Sequence, residues 1–122
     1  GKYLHENPIV RQKIGRLYAD MEAGRSLAYK IAWNQEKGDL MIAPHIASES
    51  KVFGGELEQR LANFCSEIMG LHGQLEDSKW AILNGKMSLI YQTCMGYNIA
   101  AGSSEIQRNI IAWVGLGLPR IK

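Results

Sequence analysis

An all-α fold, an antiparallel up-and-down helical bundle, is predicted for this chain by three observations on its 122 residues. Apolar residues recur at intervals of three and four, the period of a helix face, through most of the length. Glycine-bearing breaks separate the periodic stretches, and no stretch alternates apolar and polar residues over strand length. No internal repeat is visible, so residues 1–122 read as a single domain.

The first stretch carries Val10, Ile14, Leu17, Met21, Gly24, Ala28 and Ile31, one stripe along a long helix that faces a partner. Arg11, Lys13, Arg16, Asp20 and Glu22 are expected on its solvated faces, and the small residues Gly24 and Ala28 narrow the seam. Gly38-Asp39 is read as the end of this helix and the start of the next. A second stripe runs through Ile46, Ser50, Phe53, Leu57, Leu61, Phe64 and Ile68, interrupted by Gly54-Gly55. Glycine inside a helix costs about 1 kcal/mol relative to alanine, so this pair marks either a close helix contact or a local bend. Gly70-Leu71-His72-Gly73 ends the helix. A third segment is expected from Asp77 or Ser78, with Trp80, Leu83, Met87, Ile90, Tyr91 and Cys94 on one face, giving way near Gly96 to a connector. The fourth is short: it begins at Ser103, uses Ile106, Ile110, Ile111 and Val114 as its apolar face, and stops at Gly115-Leu116-Gly117-Leu118-Pro119.

Composition narrows the function classes. Hydrophobic residues make up 46% and charged residues 21%, an ordinary globular balance that predicts one domain with a sizeable core. A net charge of +2, with bases scattered among acids, argues against nucleic acid. No apolar run is long enough for a membrane span, and Gly1-Lys2-Tyr3-Leu4-His5-Glu6 lacks the apolar core of a signal peptide, so a cytoplasmic location is expected. Cys65 and Cys94 sit among apolar neighbours without metal-type spacing and read as reduced, buried packing residues. His5, His45 and His72 show no ligand spacing, and no metal is expected.

The densest chemistry lies in Ala100-Ala101-Gly102-Ser103-Ser104-Glu105-Ile106-Gln107-Arg108-Asn109-Ile110-Ile111-Ala112. Gly102 permits unusual backbone angles, Ser103 or Ser104 can accept from the first free helix amides, and Ser104 with Gln107 fits a capping box. Such a start can be simply a capped helix, or can hold a phosphate or polarise a carbonyl oxygen. The run continues into Leu116-Gly117-Leu118-Pro119-Arg120, and the whole resembles the C-terminal signature of the acyl-CoA dehydrogenases. Asn7-Pro8-Ile9-Val10-Arg11 resembles the start of a long helix in the same domain. Glu67-Ile68-Met69-Gly70-Leu71-His72-Gly73 is similar to that family's Q-x-x-G-G-x-G turn.

The resemblance implies an FAD-dependent enzyme that removes a proton from the carbon α to an acyl-CoA thioester and passes the β-hydride to flavin. This chain then corresponds to the C-terminal helical domain of a longer polypeptide with an N-terminal helical domain and a β-domain, and the 122 residues alone are expected to be inactive. By motif position, Ser103, Ser104 and Glu105 fall at FAD contacts, and Ala101 and Gly102 at the substrate. Glu67, Ile68, Met69, Gly70 and Leu71 fall on the turn that reaches the FAD of a neighbouring subunit, which implies a homo- or hetero-oligomer.

Two departures stand out. Glu67 occupies a position where the family usually has glutamine, and a carboxylate there repels a pyrophosphate unless protonated or turned away. Ala101 takes the place of the glutamate base of many relatives, so no catalytic residue is assigned. Some branches carry the base on an earlier helix. Glu105 is a poor substitute, because a first-turn carboxylate is stabilised as the anion. Trp113 reads as core packing or a contact with a neighbouring subunit, and Arg108 as a phosphate partner or a surface ion pair. Alternatives to a dehydrogenase domain are a non-catalytic helical interaction module and the base-free subunit of a hetero-oligomeric acyl-CoA dehydrogenase.

Overall fold

A computed structural model describes residues 3–38 and 43–120 of the chain. After a short 3-10 turn at Leu4–Glu6, helix α1 spans Pro8–Glu36. It starts where Asn7 Oδ1 accepts from the Ile9 amide at 3.0 Å, with Pro8 at the first helical position, where its missing N–H costs nothing. It ends before Gly38, whose φ of +74° is left-handed. Asp39, read as the start of the next helix, lies outside the described residues.

Helix α2, Ala43–Met69, is the axis of the molecule. Every residue of its expected stripe, from Ile46 to Ile68, is at least half-buried. Helix α1 packs along one side of it, and α3 (Lys86–Ile99) and α4 (Ser104–Ile110) along others. The contacts run in opposite directions along paired helices: Lys13 meets Glu67 and Asp20 meets Arg60, while Lys51 meets Asn98 and Gln59 meets Met95. These are antiparallel pairs, and no strand occurs among the described residues. No helix among the described residues is long and apolar enough to cross a membrane.

The glycine pair resolves into two different situations. A Cβ on Gly55 would stand 2.6 Å from Asn98 Oδ1, so Gly55 is where α3 comes closest to α2, whereas Gly54 faces open space. Gly24 lies against Phe53 and Leu57, in line with a narrowed α1–α2 seam.

Several expectations are corrected. The covered face of α1 is Val10, Leu17, Asp20, Gly24, Leu27, Ile31 and Asn34, while Ile14, Met21 and Ala28 are exposed. Lys13 and Asp20 have ionic partners on α2, at 2.6 Å and 3.3 Å, so neither lies on a purely solvated face. The third helix begins at Lys86, not at Asp77 or Ser78. Ser78 closes a turn instead, accepting from the Trp80 amide on its side chain and from the Ala81 amide on its carbonyl. Leu83 and Asn84 are left-handed at φ 54°, and Gly85 follows at 73° with no room for a side chain above Glu76. At its other end, α3 runs past Gly96 to Ile99. Helix α4 continues into a π-helical turn, Ile111–Gly115, whose last residue packs on His45.

The core is slender. Among the described residues, Ile46, Leu57, Ala62 and Cys94 are the buried hydrophobic side chains. The reason is geometric: α2 is covered from several sides, but α1 and α3 each pack on α2 and on no other long helix. Large apolar groups such as Trp80, Ile90, Tyr91, Ile99 and Leu116 are left in the open. Cys94 is buried and Cys65 half-buried, both as free thiols.

Candidate functional site

The turn between α3 and α4 gathers Ala101, Gly102, Ser103, Ser104 and Glu105. Ala101 adopts φ 55° and Gly102 φ 89°, two successive left-handed residues, the first without glycine's freedom. The carbonyls of this segment are held from the protein side. Lys51 Nζ, half-buried on α2, donates to Gly102 O at 2.7 Å and to Asn98 O at 3.2 Å. Gln107 Nε2 donates to Ala101 O at 2.8 Å. With three carbonyls drawn inward, the donors at the start of α4 face the opposite way.

Ser103, rather than Ser104, is the N-cap: its Oγ accepts from the Ile106 amide at 3.4 Å. The expected Ser104–Gln107 capping box is therefore replaced, because Gln107 is occupied with Ala101 O and Ser104 is the first helical residue. Ser104 is 93% buried (7% exposed), and its hydroxyl has no hydrogen-bond partner. A buried unpaired hydroxyl is costly, which makes it conspicuous beside an open groove. That groove is lined by Glu56, Gln59, Met95, Asn98, Ser103, Ser104, Glu105 and Arg108, among others. Asn98 gives its amide N–H to Gln59 at 3.1 Å, leaving its Oδ1 buried without a donor.

Glu105 lies at the mouth. The Ser103 hydroxyl, its own backbone N–H, and then the charges of Arg108 and Lys51 hold its carboxyl below the usual range. It is an anion at neutral pH, as expected of a first-turn carboxylate, and a weak base. Arg108 is engaged by Glu56 in an ion pair at the surface. Trp113 is half-buried, with the Arg120 guanidinium 4.9 Å above its ring.

The second expected cluster sits elsewhere. Glu67 lies sixteen residues beyond Lys51 on α2, about 24 Å along the helix axis at 1.5 Å per residue, so this chain does not join the two sets. Lys13 holds both Glu67 oxygens, at 2.6 and 2.8 Å, which neutralises the carboxylate and turns it toward α1. Ile68 and Met69 are half-buried packing residues, with Met69 over Gly73, while Gly70 turns the chain at φ 54° and leaves Leu71 79% exposed.

A turn with inward carbonyls, a capped helix start and a buried unpaired hydroxyl suits a ligand that both donates and accepts. The acyl-CoA dehydrogenase C-terminal domain, as a family model, matches residues 1–116, across both clusters. The chain belongs to the acyl-CoA dehydrogenase family. It is 31% identical to acyl-CoA dehydrogenase FadE26 of Mycobacterium tuberculosis (strain ATCC 25618 / H37Rv), over 98% of this chain and 30% of that one. It is 27% identical to glutaryl-CoA dehydrogenase of Desulfococcus multivorans, over 97% of this chain and 28% of that one. Among solved structures, the ChsE4-ChsE5 complex from Mycobacterium tuberculosis superposes on the whole chain and 31% of its counterpart, with a TM-score of 0.88 and 30% identity. The Tcur3481-Tcur3483 steroid ACAD does so over 97% of this chain and 30% of its counterpart, at 0.89 and 28% identity. The chain thus spans about 30% of the length of the curated relatives it matches.

Sequence reasoning about the acyl-CoA dehydrogenase turn missed Lys51, Asn98 and Glu56. Lys51 acts on main-chain carbonyls, which carry no side-chain signature, and the stripe on either side of it, Ser50 and Phe53, placed it on α2 without marking a role. Gln107 was visible, but as the wrong half of a cap.

Proposed function

We propose that this chain is the C-terminal helical domain, a single unit over residues 1–122, of an FAD-dependent acyl-CoA dehydrogenase that performs α,β-dehydrogenation of an acyl-CoA thioester. Its part in that enzyme is to contribute flavin contacts and subunit association. The observation that carries the reading is the buried, unpaired Ser104 hydroxyl beside the Ser103 cap at the motif match. Bound FAD supplies the chemistry of a hydride acceptor.

The residues divide the remaining work. Ser104 Oγ and the Ser104 amide that opens α4 offer donors, while the Glu105 and Ile106 amides are taken by the Glu105 carboxyl and the Ser103 cap. Glu105, held as an anion, orients by accepting hydrogen bonds and does not abstract a proton. The left-handed Ala101-Gly102 pair brings backbone to the surface for a thioester to approach, with the Gln107 side chain covering one side of Gly102. At the far end of α2, the turn at Gly70 and the exposed Leu71 are suited to reaching a flavin in a neighbouring subunit, with Glu67 silenced by Lys13.

Because Ala101 carries no acid–base group, the base belongs either to an earlier helix of the same polypeptide or to another subunit. The second case, a base-free subunit of a hetero-oligomer, is favoured by the likeness to structures described as two-component assemblies. Ala101→Glu in the complete enzyme separates them. If a base is already present, the added carboxylate raises one pKa by like-charge repulsion and shifts the pH–rate profile. If none is present, it confers dehydrogenation, since a positioned base is worth about 10²–10⁴-fold. An enzyme that shows no acyl-CoA-dependent dye reduction with or without the glutamate overturns the dehydrogenase reading and favours a non-catalytic helical module.

A further inference from the structure

Lys51 stands apart from every expected site residue, yet it makes the contacts that fix the shape of the turn. It rises from the middle of α2, half-buried, between the end of α3 and the start of α4. Its two acceptors are of different kinds. Asn98 O belongs to the last turn of α3, where carbonyls have no intrahelical donor, and Gly102 O precedes the α4 cap. One ammonium therefore ties the end of one helix to the beginning of the next, with charge-assisted hydrogen bonds that are about twice as strong as neutral ones.

The tie has a directional consequence. A peptide unit is planar, so a carbonyl pulled toward Lys51 sends the N–H of the following residue the other way. Gly102 O at 2.7 Å from Lys51 Nζ thus aims the Ser103 amide outward, while Gln107, holding Ala101 O, does the same for the Gly102 amide. Ala101 at φ 55° is in a conformation that an alanine does not hold by preference, so something must hold it. Gln107 holds its carbonyl, and Lys51 holds the carbonyl of the next residue. Beside these amides lies the unpaired Ser104 hydroxyl.

Resting on the flavin reading above, we propose that Lys51 is a positioning residue: by tying the Gly102 carbonyl to the end of α3 at Asn98, it presents the Ser103 amide, beside the Gly102 amide and the Ser104 hydroxyl, to the flavin without touching it. The test uses the complete enzyme, as purified and after removal and return of FAD, with Lys51→Met and Lys51→Arg variants. Lys51→Met keeps the length of the stem and loses the donors; its FAD dissociation constant should rise about tenfold. At saturating FAD, the visible absorption spectrum and midpoint potential of the bound flavin should differ from wild type, and Lys51→Arg, which can still give two N–H groups, should return both toward it. A purely structural role moves the melting temperature but leaves the spectrum and potential of the saturated enzyme unchanged, and that result overturns the proposal. Should Lys51→Met fail to fold, Lys51→Gln is held to the same two outcomes. A wild-type enzyme that neither retains nor takes up FAD overturns the flavin reading itself; a wild type that holds FAD alongside a Lys51→Met variant indistinguishable from it overturns only the positioning role.

Discussion

The adjacent glycines of α2 give a test in which one methyl group has opposite effects at neighbouring positions. At Gly54 an added Cβ meets nothing within 4 Å, so Gly54→Ala changes only the conformational entropy of the chain and should stabilise the protein by about 1 kcal/mol. At Gly55 the same Cβ would stand 2.6 Å from Asn98 Oδ1, and ordinary contact near 3.4 Å requires the amide to retreat by about 0.8 Å. Asn98 is held on two sides, through its Nδ2 to Gln59 at 3.1 Å and through its carbonyl to Lys51 at 3.2 Å. Displacing it costs about 1 kcal/mol for the hydrogen bond to Gln59 and a further 1–2 kcal/mol of overpacking, against a gain of about 1 kcal/mol in helix propensity. Gly55→Ala should therefore be destabilising by about 1–2 kcal/mol. Circular-dichroism melts should place the two variants on either side of wild type, separated by about 8–12 °C, given roughly 4 °C per kcal/mol for a domain of this size. Shifts of the same sign would show that the pair marks a bend rather than a close approach of α3.

Ser103→Ala removes the α4 cap and should cost about 1 kcal/mol, read by denaturant titration; an unchanged midpoint would mean that the Ile106 amide has another acceptor. Because the Glu105 carboxyl is held below its unfolded value, its contribution to stability is present above the ordinary glutamate range and is lost as pH falls through the lowered folded value. Glu105→Gln should accordingly flatten the acid limb of a melting-temperature profile, and parallel limbs would contradict the assigned cause. The isolated 122 residues should self-associate in light scattering through surface that includes Trp80, Ile99 and Leu116, and should bind FAD no tighter than micromolar; a strictly monomeric species across a wide concentration range refutes the first point, and sub-micromolar titration the second.

The all-helical class and the two long helices were legible because their signal is local: Asn7-Pro8 opens α1, and the α2 stripe from Ile46 to Ile68 is buried along its whole length. What failed depended on partners distant in sequence. The face of α1 could not be read from apolar spacing alone, since Ile14 and Met21 are exposed while Asp20 is half-buried beside Arg60 and Lys13 pairs with Glu67 at the rim of the seam. Trp80 and Leu83 keep helical spacing, but Ala81 between them is extended and the backbone turns left-handed from Leu83 to Gly85, where Gly85 meets Glu76. Gly96 has no close neighbour to exploit, and a solitary glycine is too small a penalty to end α3. At the candidate site the side chains of the motif were visible in order, while the fold of their backbone, set by Lys51 and Gln107, was not.

Ser104→Ala in the complete enzyme, with FAD affinity and apo-protein stability measured on the same preparation, tests whether the α4 turn supplies flavin contacts. Ser104 Oγ is buried without a partner, so its removal should leave the apo-protein as stable as wild type or more so, while FAD binding weakens by about tenfold as a hydrogen bond is lost. An unchanged FAD dissociation constant, accompanied by a loss of apo stability, would show that the hydroxyl serves the fold and would contradict the claim.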